Sequence, residues 1–226
     1  MLLGAEALDK LRSSRVLLFG VGGVGSFTAE ALVRTGVGSL GMVDFDVVSK
    51  SNINRQLPAL NSTVGLLKVQ VMAGRLRDIN PEVSLFCFPS RLDAQTLNSF
   101  DLTHWDYIVD AIDDVPAKLL LIKAAQDAGI PIISSMGTGN KMDPSQLQIV
   151  DLKKTHTCPL ARAIRREAER MGIGKLPVLF SPEKPSRAEG SGRSPSSTIF
   201  VPASAGLMIA ARVVTDLIAF PEKEND

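Results

Sequence analysis

Cysteine and histidine are nearly missing from this chain, with two of each in 226 residues. So few cysteines exclude a disulfide scaffold and any zinc site built from four of them. Aromatic residues make up 5%, with a single Trp, which argues against a lectin-like or stacking-rich binding module. Neither sign of charge is in excess. With 25 Lys+Arg against 24 Asp+Glu the formal net charge is +1, so the chain is no histone-like polycation. No secretory signal is expected either, because Met1 leads into Gly4, Glu6, Asp9 and Lys10 rather than a basic and then apolar stretch. The longest apolar run near the C-terminus, Ala203 to Phe220, is broken by Arg212 and Asp216. A buried or dimer-facing helix is expected there, and no membrane insertion. What remains is 45% apolar and 22% charged residues, ordinary for a soluble α/β protein of one domain. A reducing cytoplasm is the expected location.

The N-terminal two thirds alternate strand and helix. Arg15 to Gly20 is a short apolar run ending in glycines and is expected to form a buried strand. A helix is expected over Val24–Thr35 and a strand over Ser39–Asp44. The pattern continues with a helix over Val64–Ile79, stopped by Asn80-Pro81, and a strand over Val83–Phe88. Tyr107–Asp110, Pro116–Ala128, Pro131–Ser134 and Gln146–Asp151 are expected as strand, helix, strand and strand. Such repeated units require right-handed crossovers and a mostly parallel, doubly wound sheet with helices on both faces. A C-terminal extension of strands and a final helix completes the expected fold. Residues 1–226 are taken as a single domain, with a nucleotide-binding core over 1–150 and a basic substrate-side segment over 151–226. Ser181–Ser197, rich in Pro, Ser, Gly and charge, is expected to be a mobile loop.

The first expected strand runs into Gly20-Val21-Gly22-Gly23-Val24-Gly25 and then a helix. Glycines there allow a tight turn and close approach of backbone to phosphate, while the helix N-terminus supplies free N–H donors. Asp44 follows about 20 residues later, where a carboxylate can accept hydrogen bonds from ribose hydroxyls. Up to that point a dinucleotide serves as well as ATP. Lys68, in the first turn of an expected helix, is a cation placed against the helix dipole. A bound polyphosphate would reverse that sign. Arg55 and Asn52, in Ser51-Asn-Ile-Asn-Arg-Gln56, add a second cation and an amide, which suit a triphosphate better than a dinucleotide. Asp113 ends the fourth strand's segment at the carboxyl edge of the sheet, where a carboxylate can hold Mg²⁺ bridging phosphates. Asp114, just before Pro116, is the alternative, a helix cap.

In this order and spacing, GVGGVG, VDFDVVSKSNINRQ, GLLK and DAIDD resemble the ubiquitin-activating-enzyme superfamily of adenylating enzymes. Ile79-Asn-Pro81 and the segment Gly137 to Leu152 resemble, within it, the tRNA threonylcarbamoyladenosine dehydratases. The resemblance covers nearly the whole chain, most firmly residues 10 to 155. It implies an ATP site at Gly20, Gly22, Gly23, Gly25, Asp44, Asp46, Ser51, Asn52, Arg55, Gln56, Lys68, Asp113 and Asp114. Arg55, Lys68 and Asp113 would be the catalytic residues, with Asp113 on Mg²⁺. It also implies a homodimer and a tRNA substrate carrying threonylcarbamoyladenosine, and no DNA partner. Members of the family carry an arginine upstream of the first helix. Here Met1-Leu-Leu-Gly4 begins the sequence, and Arg12 and Arg15 lie too close to the first strand to take that part.

Sulfur-carrier-activating relatives have paired zinc-binding Cys-x-x-Cys motifs, and ubiquitin-type members place a nucleophilic cysteine in the loop before the last strands. Residues 180–200 hold no cysteine. Cys87 is expected in the core, Cys158 in a structural role, and His104 and His156 at structural or surface positions. From Asp151 to Arg193, ten basic residues face five acidic ones. This suits an anionic partner, and Arg162, Arg165, Arg166 and Arg170 are the candidate RNA contacts. The competing readings are an adenylyltransferase for a ubiquitin-like sulfur carrier, an NAD(P)-dependent dehydrogenase, and a nucleotide-sensing module without activity.

Overall fold

The computed structural model describes residues 2–186 and 196–218. Seven strands form one sheet in the order β3-β2-β1-β4-β5-β7-β6. They are β1 (Arg15–Phe19), β2 (Ser39–Val43), β3 (Ser84–Phe88), β4 (Tyr107–Asp110), β5 (Ile132–Ser135), β6 (Gln148–Asp151) and β7 (Pro177–Phe180). All neighbours pair in parallel except β6 and β7, which are antiparallel. The central strands are buried along nearly their whole length, as strands covered on both faces must be. Edge strand β3 is only partly covered.

Among the described residues six α-helices cover the two faces: α1 (Gly4–Ser13), α2 (Gly25–Thr35), α3 (Lys68–Ile79), α4 (Val115–Asp127), α5 (Pro159–Arg170) and α6 (Phe200–Ile218). Residues of α1, α2, α3 and α6 share one apolar cluster with the sheet. Residues of α4 and α5 share the other with Trp105, Phe100 and Leu92. The doubly wound architecture is therefore the one expected. The strand order reverses at β1, between β2 and β4, and ligands of such sheets bind at the carboxyl ends of the strands at that point.

Several expected boundaries shift. The helix expected from Val64 starts at Lys68, because Gly65 takes φ +90° and Leu67 pairs with Val47 in an isolated bridge. The strand expected from Gln146 starts at Gln148, after a turn over Pro144–Gln146 capped by Asp143. The expected C-terminal extension of strands holds β7, to which the sequence pattern assigns no residues, and helix α1 is not assigned either, since four apolar residues or one short helix carry too little periodicity to stand out. The last helix begins at Phe200, and Ala219 and Phe220 lie outside the described residues, as do 187–195 of the expected loop.

By length and composition α6 is the one described helix that could cross a membrane. Its inner face instead packs against α2, where a Cβ on Gly206 would lie 2.4 Å from the Val24 carbonyl oxygen. Only glycine permits that approach. Helix α5 divides its faces cleanly: Ala161, Ile164 and Ala168 are buried, whereas Arg162, Arg166 and Arg170 are exposed.

Candidate active site

At the carboxyl ends of β1, β2, β4 and β5 the loops enclose a pocket of about 650 Å³. Its shape begins with backbone that only glycine can supply. Gly20 has φ +89°, and a Cβ there would stand 2.6 Å from the Ala111 carbonyl. A Cβ on Gly25 would stand 1.8 Å from the Gly20 carbonyl, so the strand end and the start of α2 pass as closely as backbones can. Among the described residues no side chain caps α2; Ser26 N donates to Gly22 O at 3.0 Å, and the other N–H groups of an uncapped helix start can serve an anion. Gly20, Gly22 and Gly23 line the pocket; Gly25 does not, and its part is close packing.

Asp44 follows β2 and is buried, with Oδ2 accepting from Val21 N at 2.7 Å and Oδ1 from Asp46 N at 2.9 Å. Burial raises its carboxyl above the usual aspartate range, against the opposing pull of the Lys68 ammonium and the two N–H groups. Lys68 is buried and its Nζ donates to Asp46 Oδ2 at 2.7 Å. The cation at the start of α3 is thus balanced by an acidic partner, 49% exposed, across the pocket wall. The Arg55 guanidinium donates to Ser51 O and Asn54 Oδ1, both at 2.8 Å. Gln56 Oε1 is buried with no hydrogen-bond partner among the described residues, beside Gly22. An orphaned acceptor at a glycine turn is what a site for a polar ligand leaves behind.

Asp46, Asn52, Arg55, Gln56, Lys68, Asp113 and Asp114 all line this one pocket. Ser51 does not. Its hydroxyl meets Ser49 Oγ at 2.8 Å, and its carbonyl serves Arg55. Asp113 is exposed to the pocket, whereas Asp114 caps α4 by accepting from Ala117 N at 3.0 Å. The two neighbouring carboxylates therefore divide between an open position and a cap. Among the described residues no three His, Cys, Asp or Glu side chains cluster as a metal cage. The Asp113 carboxylate, exposed to the pocket, fits a Mg²⁺ held mostly by substrate phosphates.

Beneath Asp113 lies a device absent from the expected site. Asp110 and Lys118 are both fully buried, with Nζ to Oδ2 at 2.9 Å. Ser134 donates to the same Oδ2 at 2.6 Å, Ile112 N to Oδ1 at 3.1 Å, and Lys118 Nζ to Ile112 O at 2.9 Å. Both polar groups of Ile112 are held, so the turn carrying Asp113 is fixed from below. Further wall comes from Phe45 and Arg91, whose guanidinium lies 5.6 Å from the Phe45 ring centre, and from Met136 to Gly139, Ser197 and Pro202. Gly137-Thr138-Gly139, directly after β5, is the local pattern that could have pointed to part of this wall. Ser197 and Pro202 arrive from distant sequence.

The remaining expectations divide. Arg165 is tied to Thr155 O and Oγ1, both at 2.6 Å, so it braces α5, whereas Arg162 is exposed. Arg166 and Arg170 share Glu167 and stay exposed. Cys158 is buried, and Cys87 is half-buried with its thiol pushed up by burial. Neither lines the pocket. His104 packs edge-on against Trp105, and His156 against Phe180. Arg12 and Arg15 pair with Asp9 and Asp106 away from the pocket.

A doubly wound sheet with this pocket at its switch point defines a nucleotide-binding α/β protein. The model of the ThiF family matches residues 1–225. The tRNA threonylcarbamoyladenosine dehydratase of Bacillus subtilis is 42% identical, over 96% of this chain and 91% of that protein. Structures of Escherichia coli tRNA N6-threonylcarbamoyladenosine dehydratase, TcdA, in complex with AMP and with ATP superpose with TM-score 0.91 at 33% identity. They cover 96% of this chain and 91% of that one. A yeast adenylyltransferase and sulfurtransferase, UBA4 of Vanderwaltozyma polyspora, is 35% identical but matches 69% of this chain and 35% of its own length. The chain belongs to the ThiF family, on the branch of the tRNA threonylcarbamoyladenosine dehydratases.

Proposed function

We propose that this chain is an ATP-dependent enzyme that cyclises N6-threonylcarbamoyladenosine beside the tRNA anticodon by way of an acyl-adenylate. The observation that carries this is the convergence of the glycine turn, Asp44, Arg55, Lys68 and Asp113 on one pocket that no cysteine lines. In the first step a threonyl carboxylate oxygen attacks the α-phosphorus of ATP and pyrophosphate leaves. In the second, a nucleophilic atom of the same modified base attacks the acyl carbon, the ring closes and AMP leaves with that oxygen. The base gives up the elements of one water, which appear in the AMP and pyrophosphate formed from ATP.

Ring closure is intramolecular, and effective molarities of roughly 10⁵ M or more explain why no enzyme nucleophile is needed. Asp44 accepts from the ribose hydroxyls. The N-terminal amides of α2, Arg55 and Lys68 lie where charge grows on the phosphates, and Lys68 leaves Asp46 for them. Asp113 would hold Mg²⁺, whose chemistry there is to neutralise charge on the phosphate oxygens. Asp114 keeps α4 capped, worth about 1 kcal/mol.

The exposed stripe of Arg162, Arg166 and Arg170 supports contact with the RNA backbone. Exposed apolar side chains at Ile53, Ile199, Phe200 and Leu207 support a homodimer. The two parts, 1–150 and 151–226, would work as one adenylating domain, because β6 and β7 extend the sheet of the core. Two free thiols suit a reducing cytoplasm. The test is mass spectrometry of nucleosides from threonylcarbamoyl-modified tRNA incubated with the protein, ATP and Mg²⁺. The expected product is one water lighter and absent with Asp113→Ala. Unchanged nucleoside with the unaltered chain would contradict the reading.

A further inference from the structure

Two asparagines outside the pocket wall are joined through the chain at Ser196–Ser197. Asn54 borders Arg55, in the loop after β2. Its Nδ2 donates to Ser197 O at 2.7 Å and its Oδ1 accepts from the Arg55 guanidinium at 2.8 Å. Asn140 borders Gly139, in the loop after β5. Its Oδ1 accepts from Ser196 N at 2.9 Å and its N–H donates to Ser196 O at 2.7 Å. Its carbonyl accepts from Ser186 N at 2.8 Å. Asn140 holds φ +59°, a left-handed conformation that asparagine tolerates better than most residues. Ser197 itself belongs to the pocket wall.

The result is a continuous run of hydrogen bonds from Gly139's neighbour, through residues 196–197, to the guanidinium of Arg55. Its geometry is costly to keep for stability alone. Asn54 is exposed, and hydrogen bonds in contact with water exchange for others at little net gain. Yet both ends of its amide are used, and one of them fixes a long cationic side chain that would otherwise sample many rotamers. A donor already aimed at the place where charge will sit costs nothing to organise when the ligand arrives.

We propose that Asn54 and Asn140 are positioning residues that draw residues 196–197 across the pocket and fix Arg55 toward the β- and γ-phosphates of ATP. This rests on the reading of the pocket as an ATP site, but not on the cyclisation chemistry. Its consequence is selective: AMP, which lacks those phosphates, should not feel the bridge.

The experiment is calorimetric titration of the full chain with ATP and, separately, with AMP. The variants are Asn54→Ala, Asn140→Gly, Arg55→Ala and the pair Asn54→Ala with Arg55→Ala. Glycine keeps the φ of residue 140 and its backbone bonds, so Asn140→Gly removes only the side-chain acceptor. Asn54→Ala and Asn140→Gly are each expected to weaken ATP about 5- to 10-fold and leave AMP within about 2-fold, with an unchanged thermal midpoint. In the Arg55→Ala background, Asn54→Ala should add nothing, because the two act as one unit. Asn140→Asp, which keeps the acceptor, should restore the ATP-to-AMP ratio.

Equal losses for ATP and AMP, no loss, or additivity with Arg55→Ala would overturn the bridge. If the variants lose ATP selectively as described but the unaltered chain forms no cyclised nucleoside, the cyclase reading fails and the bridge stands. If it binds neither nucleotide, both fail.

Discussion

Two lysine–aspartate pairs, one in the floor of the pocket and one in its wall, have nearly the same geometry and opposite surroundings. Lys118 meets Asp110 at 2.9 Å with both side chains fully buried, and Ser134 and Ile112 take the remaining bonding capacity. Lys68 meets Asp46 at 2.7 Å with Asp46 half in water. A buried pair whose partners are all protein groups cannot be exchanged without leaving a charge stranded. A pair with one member solvated can be, because water replaces the lost partner at small cost. The floor therefore holds the Asp113 turn in place. The wall is the pair whose cation, in the proposed reading, passes to a ligand.

The largest expected effect separates the pairs by stability. Lys118→Met leaves Asp110 buried without its cation and should cost about 3–5 kcal/mol, visible as a thermal midpoint lowered by roughly 10 °C. Lys68→Met should stay within about 1 kcal/mol of the parent in the same melt, yet lower turnover roughly 100-fold. Equal stability losses for the two would dissolve the distinction between floor and wall. A smaller effect should come from outside the pocket. Reversing Arg162, Arg166 and Arg170 to Glu should weaken tRNA binding at low salt and flatten its salt dependence by a slope of about 2, from roughly 0.7–0.9 per phosphate contact. Nucleotide affinity should not change. Unaltered tRNA affinity would remove α5 from the RNA surface. Arg165 is left alone in that test because it braces Thr155.

How much of this was legible in the sequence follows from the reach of each interaction. The glycine turn, Asp44 and the capping role of Asp114 are local: strand, turn and helix start within a few residues of one another, so pattern alone places them. Asp113 follows from its position at the end of a strand run. The partners are a different matter. Nothing in the chain says that Lys118 and Ser134 converge on Asp110, because those residues stand on a helix and a strand brought together only by the sheet. Lys68 read as a cation awaiting phosphate, and the spacing could not show that Asp46 already holds it. Arg165 read as a free cation beside Arg166 because α5's two faces are fixed by packing on Ile164 and Ala168. Strand β7 escaped notice for the same reason: four residues make no period, and only their place between β5 and β6 makes them a strand.

The central claim is that the substrate carboxylate is activated on the α-phosphorus of ATP. It is tested most directly by carrying a heavy-oxygen label in the threonyl carboxylate of the modified tRNA through one round of reaction. Mass spectrometry of the nucleotide products then shows where the label goes. The account predicts AMP heavier by one labelled oxygen, in proportion to the cyclised nucleoside formed, with unlabelled pyrophosphate. Label in inorganic phosphate with ADP as the nucleotide product, or label released to water with unlabelled AMP, would contradict it.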